Sequence, residues 1–301
     1  MAWREWPLAA FTLLGQLATG VYLFLVLPAV FAAPADQAAS GRNALFYAVA
    51  AVTALLGVGA AASFFHLGRP LRAPNALANL RTSWLSREIL FELLFMFFLA
   101  LLAVLFWRGA AEGTLARTVA VLAAVCGVLF LVSMARLYMV PGVPAWNRAT
   151  TPVSFLVATV TLGTTGGLVA GEMASRAIGS TEIGPGLVSP LWLRVLTVSA
   201  AAVVGLRVVG RVLLTARRRV RGFRIPPSLK PAAVSSVGAF ALRLVLWTGS
   251  GGALVAGFRS GLSVGPAAPE TLRLTWVAFG LAAAAELLTR FEFYGLGAGP
   301  R

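Results

Sequence analysis

Apolar runs long enough to cross a membrane, about 20 residues each, recur from one end of this chain to the other. No other feature restricts the fold as severely. A helix rises about 1.5 Å per residue, so such a run spans a hydrocarbon core of roughly 30 Å. Inside lipid every backbone N–H and C=O must be satisfied within the protein, and an isolated strand has edges that cannot be. The runs are therefore read as helices and the chain as an all-α integral membrane protein. Of its 301 residues 59% are hydrophobic and only 12% charged, outside the balance of a soluble domain. The first run, Trp6 to Ala33, is too long and uniform for the short apolar core of a cleaved signal peptide and is expected to be the first transmembrane helix.

Eight helices are predicted, over approximately 7–33, 43–66, 87–107, 114–139, 152–172, 190–215, 235–257 and 272–293. An even number puts both termini on one side, called side A here. The connections are short and marked by Pro, Gly and Asn, as at Gly68 to Pro74, Pro141 to Pro144 and Pro226 to Pro231, so residues 1–301 are expected to form a single membrane domain. Gly163 to Gly171 (GTTGGLVAG) resembles Gly249 to Gly257 (GSGGALVAG) in the fifth and seventh helices. Such stripes either let helices pack closely or interrupt them in the manner of a transporter.

The formal charge is +15, carried by 25 basic residues of which all but Lys230 are arginine. With no foldable soluble domain to hold a basic patch, nucleic acid is not an expected partner. Eighteen of the 25 fall on side A, among them Arg81, Arg87, Arg136, Arg207, Arg243 and Arg290. The positive-inside rule reads that excess as a cytoplasmic side A, while a basic surface for docking an acidic partner reads it differently.

Ionisable side chains at membrane depth are costly and become functional candidates by default. His66 ends the second helix, Glu88 and Glu92 open the third, Arg207 and Arg211 lie late in the sixth, and Arg243 and Glu286 lie inside the seventh and eighth. All seven fall in the half nearest side A. Glu88 and Glu92 are four apart, hence on one helix face, with His66 at a similar depth across the connection. A histidine facing a carboxylate is a proton-transfer pair, which oxidation of a quinol requires because its two ring hydroxyls lose protons as electrons leave. Phe64, Phe65, Trp84, Phe91 and Phe95 would line the ring and tail. A plainer account also stands: His66 as a helix stop before Gly68 and Pro70, with Ser86 and Glu88 as an N-cap and a first-turn acid. Arg243 and Glu286 are expected to form a structural ion pair between adjacent helices.

His66 is the only histidine, so a bis-histidine haem is excluded and only a single haem using Met96, Met134 or Met139 is left open. The single cysteine, Cys126, offers no metal-ligand spacing, and neither a CxxC motif nor a phosphate loop is present.

The stretch from Phe64 to Glu92, FFHLGRPLRAPNALANLRTSWLSREILFE, resembles the membrane anchor subunit family of dimethyl sulfoxide reductase in its HLG, its SWLSRE run and their separation. Residues 135 to 152, ARLYMVPGVPAWNRATTP, resemble the same family between the fourth and fifth helices. The resemblance implies a haem-free, metal-free anchor in the cytoplasmic membrane of a bacterium or archaeon. It would bind menaquinol and pass electrons to an iron-sulfur subunit, which serves a molybdopterin catalytic subunit. It also implies quinol binding and proton release at His66 and Glu88. Glu92, Trp84 and Arg87 join that expected site by spacing. The family's proposed topology puts the termini outside the cytoplasm, opposite to the arginine asymmetry. The competing expectation is a small-solute or ion transporter, with its substrate at the paired glycine-rich helices and the Arg243/Glu286 pair.

Overall fold

A computed structural model describes residues 6–32, 39–65, 76–110, 113–177, 190–220, 230–263 and 269–297. Among them the chain is helical with short turns, and eight long helices follow one another. These are α1 (Trp6–Ala32), α2 (Ala39–Phe64), α3 (Trp84–Trp107), α4 (Thr114–Leu137), α5 (Thr150–Ala177), α6 (Pro190–Val220), α7 (Lys230–Ser263) and α8 (Pro269–Gly297). Seven of the eight contain a described stretch long and apolar enough to cross a membrane; α6, arginine-rich toward its C-terminus, is the exception. With 24 residues, α3 is roughly 36 Å long at 1.5 Å per residue, a full crossing. Large apolar side chains such as Leu93, Phe97, Leu206 and Val245 are exposed on the flanks, as lipid-facing positions are.

The ends of α3 show how local chemistry sets the boundaries. Ser83 is the N-cap, its hydroxyl accepting from the backbone N–H of Ser86 at 3.3 Å, and the helix starts at Trp84. At the other end Gly109 takes a φ of 77°, and bonds from Gly109 N to Phe106 O and from Ala110 N to Leu105 O close a Schellman turn. A side chain at position 109 would be strained in that left-handed conformation.

Helix α1 is the axis of the bundle, packing on α2, α4, α5 and α8. Helices α2, α3 and α4 lie in succession against one another, and α5 joins α1 to the hairpin of α7 and α8. The tightest crossing is between α1 and α5 at Gly20 and Gly163. A Cβ built on Gly163 would stand 2.4 Å from the Gly20 Cα, and one on Gly20 would stand 2.5 Å from the Thr159 carbonyl oxygen. Gly166 continues the contact, since a Cβ there would meet Leu17 at 2.5 Å. Lipid tails are as apolar as the helices, so close backbone packing replaces the hydrophobic effect as the force that holds them together.

The two glycine-rich segments are therefore not equivalent. The α5 stripe is the seam with α1, whereas in α7 a Cβ on Gly252 meets nothing within 4 Å. Both helices run unbroken through their stripes. This favours the packing account over interrupted transporter-like helices.

One irregularity lies in α1, where Tyr22–Val26 forms a π turn and the backbone N–H of Leu27 bonds to Tyr22 O. Pro28 follows directly. It has no N–H to offer the carbonyl one turn back and its ring crowds that carbonyl, so a widened turn relieves the conflict without breaking the helix. Tyr22 is fully buried, donates to Ala120 O at 2.7 Å and meets the Phe95 ring edge-on at 5.3 Å, which ties the turn to α3 and α4.

Substituting Gly163→Ala is expected to cost on the order of 1–3 kcal/mol, because two backbones must separate, whereas Gly252→Ala should be neutral. The check is thermal unfolding in mild detergent followed by labelling of the single thiol, Cys126, buried in α4. Equal midpoints for the two variants would contradict the role given to the crossing.

Candidate functional site: buried polar groups in the side A half

The early start of α3 decides the environment of its two carboxylates. With the N-cap at Ser83 rather than Ser86, Glu88 stands beyond the first turn. Glu88 is 1% exposed and Glu92 7%, both facing inward on the same helix face. The capping account of Ser86 and Glu88 is thereby corrected. Among the described residues Glu88 Oε1 has no hydrogen-bond partner, and no salt bridge reaches either carboxylate. A buried acid without a countercharge is costly, and such groups concentrate where a protein uses them.

His66, the predicted partner of Glu88, lies outside the described residues. Trp84 shares a stripe with Glu88 and Glu92 by its spacing of four. Its ring carries the Arg87 guanidinium at 4.3 Å and that of Arg136 at 5.9 Å. Arg87 also donates to Leu80 O at 2.9 Å and to Arg81 O at 2.6 Å, folding the connection back onto the start of α3. Its engagement is with the loop and with Trp84. Of the aromatic residues expected beside the glutamates, Phe95 is buried against Tyr22 and Phe91 half-buried, while Phe64 and Phe65 are exposed.

The predicted Arg243/Glu286 pair is replaced by two others. Arg243 pairs with Glu292 and Glu286 pairs with Arg207. Glu286 and Glu292 are six residues apart on α8, more than a turn and a half, so α6 and α7 reach different levels of the same helix. Arg207 also lies over the Trp247 ring at 5.1 Å.

Arg290, counted from the sequence among the side A surface charges, is 3% exposed and occupies the centre of the bundle. Its Nη2 donates to Gln16 Oε1 at 2.8 Å, and its guanidinium stands 3.7 Å from the centroid of Phe155. Gln16 in turn donates to Phe155 O at 3.2 Å, so one amide joins α1, α5 and α8. Beside it Tyr138, Trp146, Phe155, Phe293 and Tyr294 form an aromatic cluster, with Trp146 stacked on Phe293 at 5.4 Å and donating to Phe293 O at 2.7 Å. The spacing Glu286, Arg290, Tyr294 by fours was the signal that could have revealed this inward face. Arg207, Arg243 and Arg290 all leave the surface count, which weakens the charge asymmetry of side A without reversing it. Toward the opposite side, Glu172 of α5 is also buried and accepts from Trp276 Nε1 at 2.8 Å.

The described groups thus form an acid pair on α3, a tyrosine-rich aromatic cluster and a set of arginine partners on α8, all within the side A half of a membrane-spanning bundle. Comparison with known proteins agrees with that class. The family model for the DMSO reductase anchor subunit (DmsC) matches residues 1–296, and the chain belongs to that family. It is 34% identical over 163 residues to an anaerobic dimethyl sulfoxide reductase chain of Haemophilus influenzae, covering 53% of this chain and 55% of that protein. An anaerobic dimethyl sulfoxide reductase chain of Escherichia coli K12 is 34% identical over 159 residues, 52% of this chain and 53% of that protein. A sulfite dehydrogenase subunit of Allochromatium vinosum is 48% identical over 87 residues, 26% of this chain and 24% of that protein. The chain spans about half the length of the dimethyl sulfoxide reductase relatives it matches.

Arg290→Leu should destabilise the protein by about 2–4 kcal/mol, since it removes a buried charge-assisted bond and strands the Gln16 amide. Adding Gln16→Leu should recover part of that loss, as coupled neighbours do. Denaturation midpoints of the two single variants and the double variant measure the coupling, and strict additivity would count against it.

Proposed function

We propose that this chain is the quinol-oxidising membrane anchor of a molybdopterin oxidoreductase complex. Menaquinol enters from the lipid, gives up protons at His66 and Glu88, and sends its electrons to a docked iron-sulfur subunit, which passes them to a molybdopterin catalytic subunit. The observation that carries this reading is the burial of Glu88 and Glu92 on one face of a membrane-spanning helix, inside a chain of the anchor family. Quinol oxidation releases two protons and two electrons. The carboxylates offer acceptors for the first, and the relatives named as dimethyl sulfoxide reductase chains supply the precedent for a complex that uses the second. His66 and Glu88 hold the protons, Glu92 keeps the second position on the same face acidic, and Trp84 with Arg87 closes the side A end. The chain is read as having neither haem nor metal of its own, with the cytoplasmic membrane of a bacterium or archaeon as its location.

A second direction of flow is favoured by one observation, the 48% identity over 87 residues with the sulfite dehydrogenase subunit. A dehydrogenase complex would hand electrons to the anchor, and the same acid groups would then deliver protons to a quinone. The sequence of the anchor serves either direction.

In the assembled complex, Glu88→Gln or His66→Ala is expected to lower quinol-driven reduction of the acceptor by about a hundredfold or more, while reduction by an artificial dye donor continues. Turnover assays with the two donors, together with identification of the subunits that copurify with the tagged chain, decide it. Equal loss with both donors would indicate failed assembly and remove the support for a quinol site here.

A further inference from the structure

The side A connections carry charge of one sign only. Residues 65–83, 138–149 and 221–229 hold six arginines and no Asp or Glu. On the opposite side three of the four connections contain an acid, Asp36, Glu112 or Glu182. A face of one sign is matched by a surface of the other. Within this basic face one point is assembled from two helices. Arg87 of α3 and Arg136, in the last turn of α4, bring their guanidiniums to the same indole ring, that of Trp84, at 4.3 and 5.9 Å from its centroid. The two cations therefore stand within about 10 Å of each other, a separation that salt screens only in part. Among the described residues no carboxylate pairs with either.

The point is also held in place. Arg87 donates to the carbonyls of Leu80 and Arg81, which orient its guanidinium without cancelling the charge. The same bonds draw the backbone of Arg81 alongside, in a turn where the Leu80 side chain is exposed. Tryptophan and arginine with an apolar neighbour are the residues that dominate protein contacts. Position separates this point from a ring of lipid headgroups. The lipid face of α3 is marked by exposed Leu93, Phe97 and Val104, whereas Trp84 continues the stripe of buried Glu88 and Glu92. The two cations thus converge over the inward side of α3, away from its lipid-facing flank.

We propose that Trp84, Arg87 and Arg136 are the docking point for an acidic segment of the iron-sulfur subunit, with a carboxylate of that segment seated between the two guanidiniums. The inference rests on the reading of this chain as the anchor of such a subunit, and adds where and by what chemistry the two meet. Trp84 is one turn of α3 from Glu88, about 6 Å along the axis. The partner then sits over the carboxylate at which quinol oxidation is placed. Protons and electrons leave the quinol at the same end of one helix, and an incoming carboxylate relieves the repulsion between the two arginines.

The test exploits the single lysine of the chain, Lys230. In a Lys230→Arg background, Arg136→Lys places an amine at the docking point, and Arg117→Lys places one at an exposed position near the opposite side. The purified complexes are treated with a zero-length carbodiimide, which joins an amine to a carboxylate in contact with it, and the linked peptides are identified by mass spectrometry. The expected result is a link from position 136 to an Asp or Glu of the iron-sulfur subunit and none from position 117. Arg136→Glu should also lower, by about twofold or more, the salt concentration at which half of the iron-sulfur subunit leaves the tagged chain. If that subunit copurifies but position 136 links only within this chain, or to nothing, the docking point alone fails. It fails equally if Arg136→Glu loses bound anionic phospholipid while the subunit is retained at every salt concentration, which would assign the cations to lipid. If no iron-sulfur subunit copurifies with the wild-type chain, the anchor reading fails and takes the docking point with it.

Discussion

Two glycines, 20 and 163, let the backbones of α1 and α5 touch, and much of the side A chemistry is built on that contact. In lipid no hydrophobic force draws helices together, so association depends on how closely they fit. Here a single methyl group on either residue would overlap backbone atoms of the other helix. Within about one turn of the crossing α1 presents Gln16, and a further turn away Thr12. The amide bonds to Phe155 O on α5 and accepts from Arg290 on α8, and the hydroxyl meets Tyr294. A packing contact without polar atoms thus sets the distances at which polar groups of three helices can meet.

The buried charges divide into two kinds. Arg207 with Glu286 and Arg243 with Glu292 are matched pairs that hold α6 and α7 against α8. Desolvating such pairs is expensive, and their interaction roughly offsets the cost, so they specify which helices are neighbours more than they add stability. Glu88 and Glu92 are of the other kind, acids buried on one face of α3 with no described cation in contact. The distinction separates what organises the C-terminal helices from what is available for chemistry.

Much of the fold was legible because lipid leaves few choices: long apolar runs become helices, and eight of them with short connections form a bundle. The site was legible in part. Glu88 and Glu92 four apart predicted a shared face, and their burial agrees. The start of α3 was misjudged by a turn because Ser83 and Ser86 are both good caps, and only the bond from Ser86 N chooses between them. Arg290 was missed because, near the end of an apolar run, an arginine looks like an interfacial charge, and no local pattern tells whether its guanidinium turns outward or reaches Gln16. The pairing of Arg243 was misassigned because helix order does not give helix level. Both Glu286 and Glu292 lie on α8, and tertiary geometry alone decides which one an arginine meets.

The widened turn at Tyr22–Val26 has a consequence for how this chain tolerates change in length. A π turn holds one residue more than the α-helical ladder it interrupts. Loss of a single residue there would let the ladder close with the two flanks keeping nearly the same facing, whereas loss of one elsewhere in α1 would rotate everything before it by about 100° relative to everything after it. Thr12, Gln16 and Gly20 all lie before it, whereas Leu25 and Ala29, buried in the core, lie within and after it. The turn holds its surplus residue without shifting the phase of the first helix. A one-residue deletion between Gln16 and that turn would turn the groups that meet α5 and α8 away from both at once, while leaving the composition of the helix, and its ability to span a membrane, almost untouched.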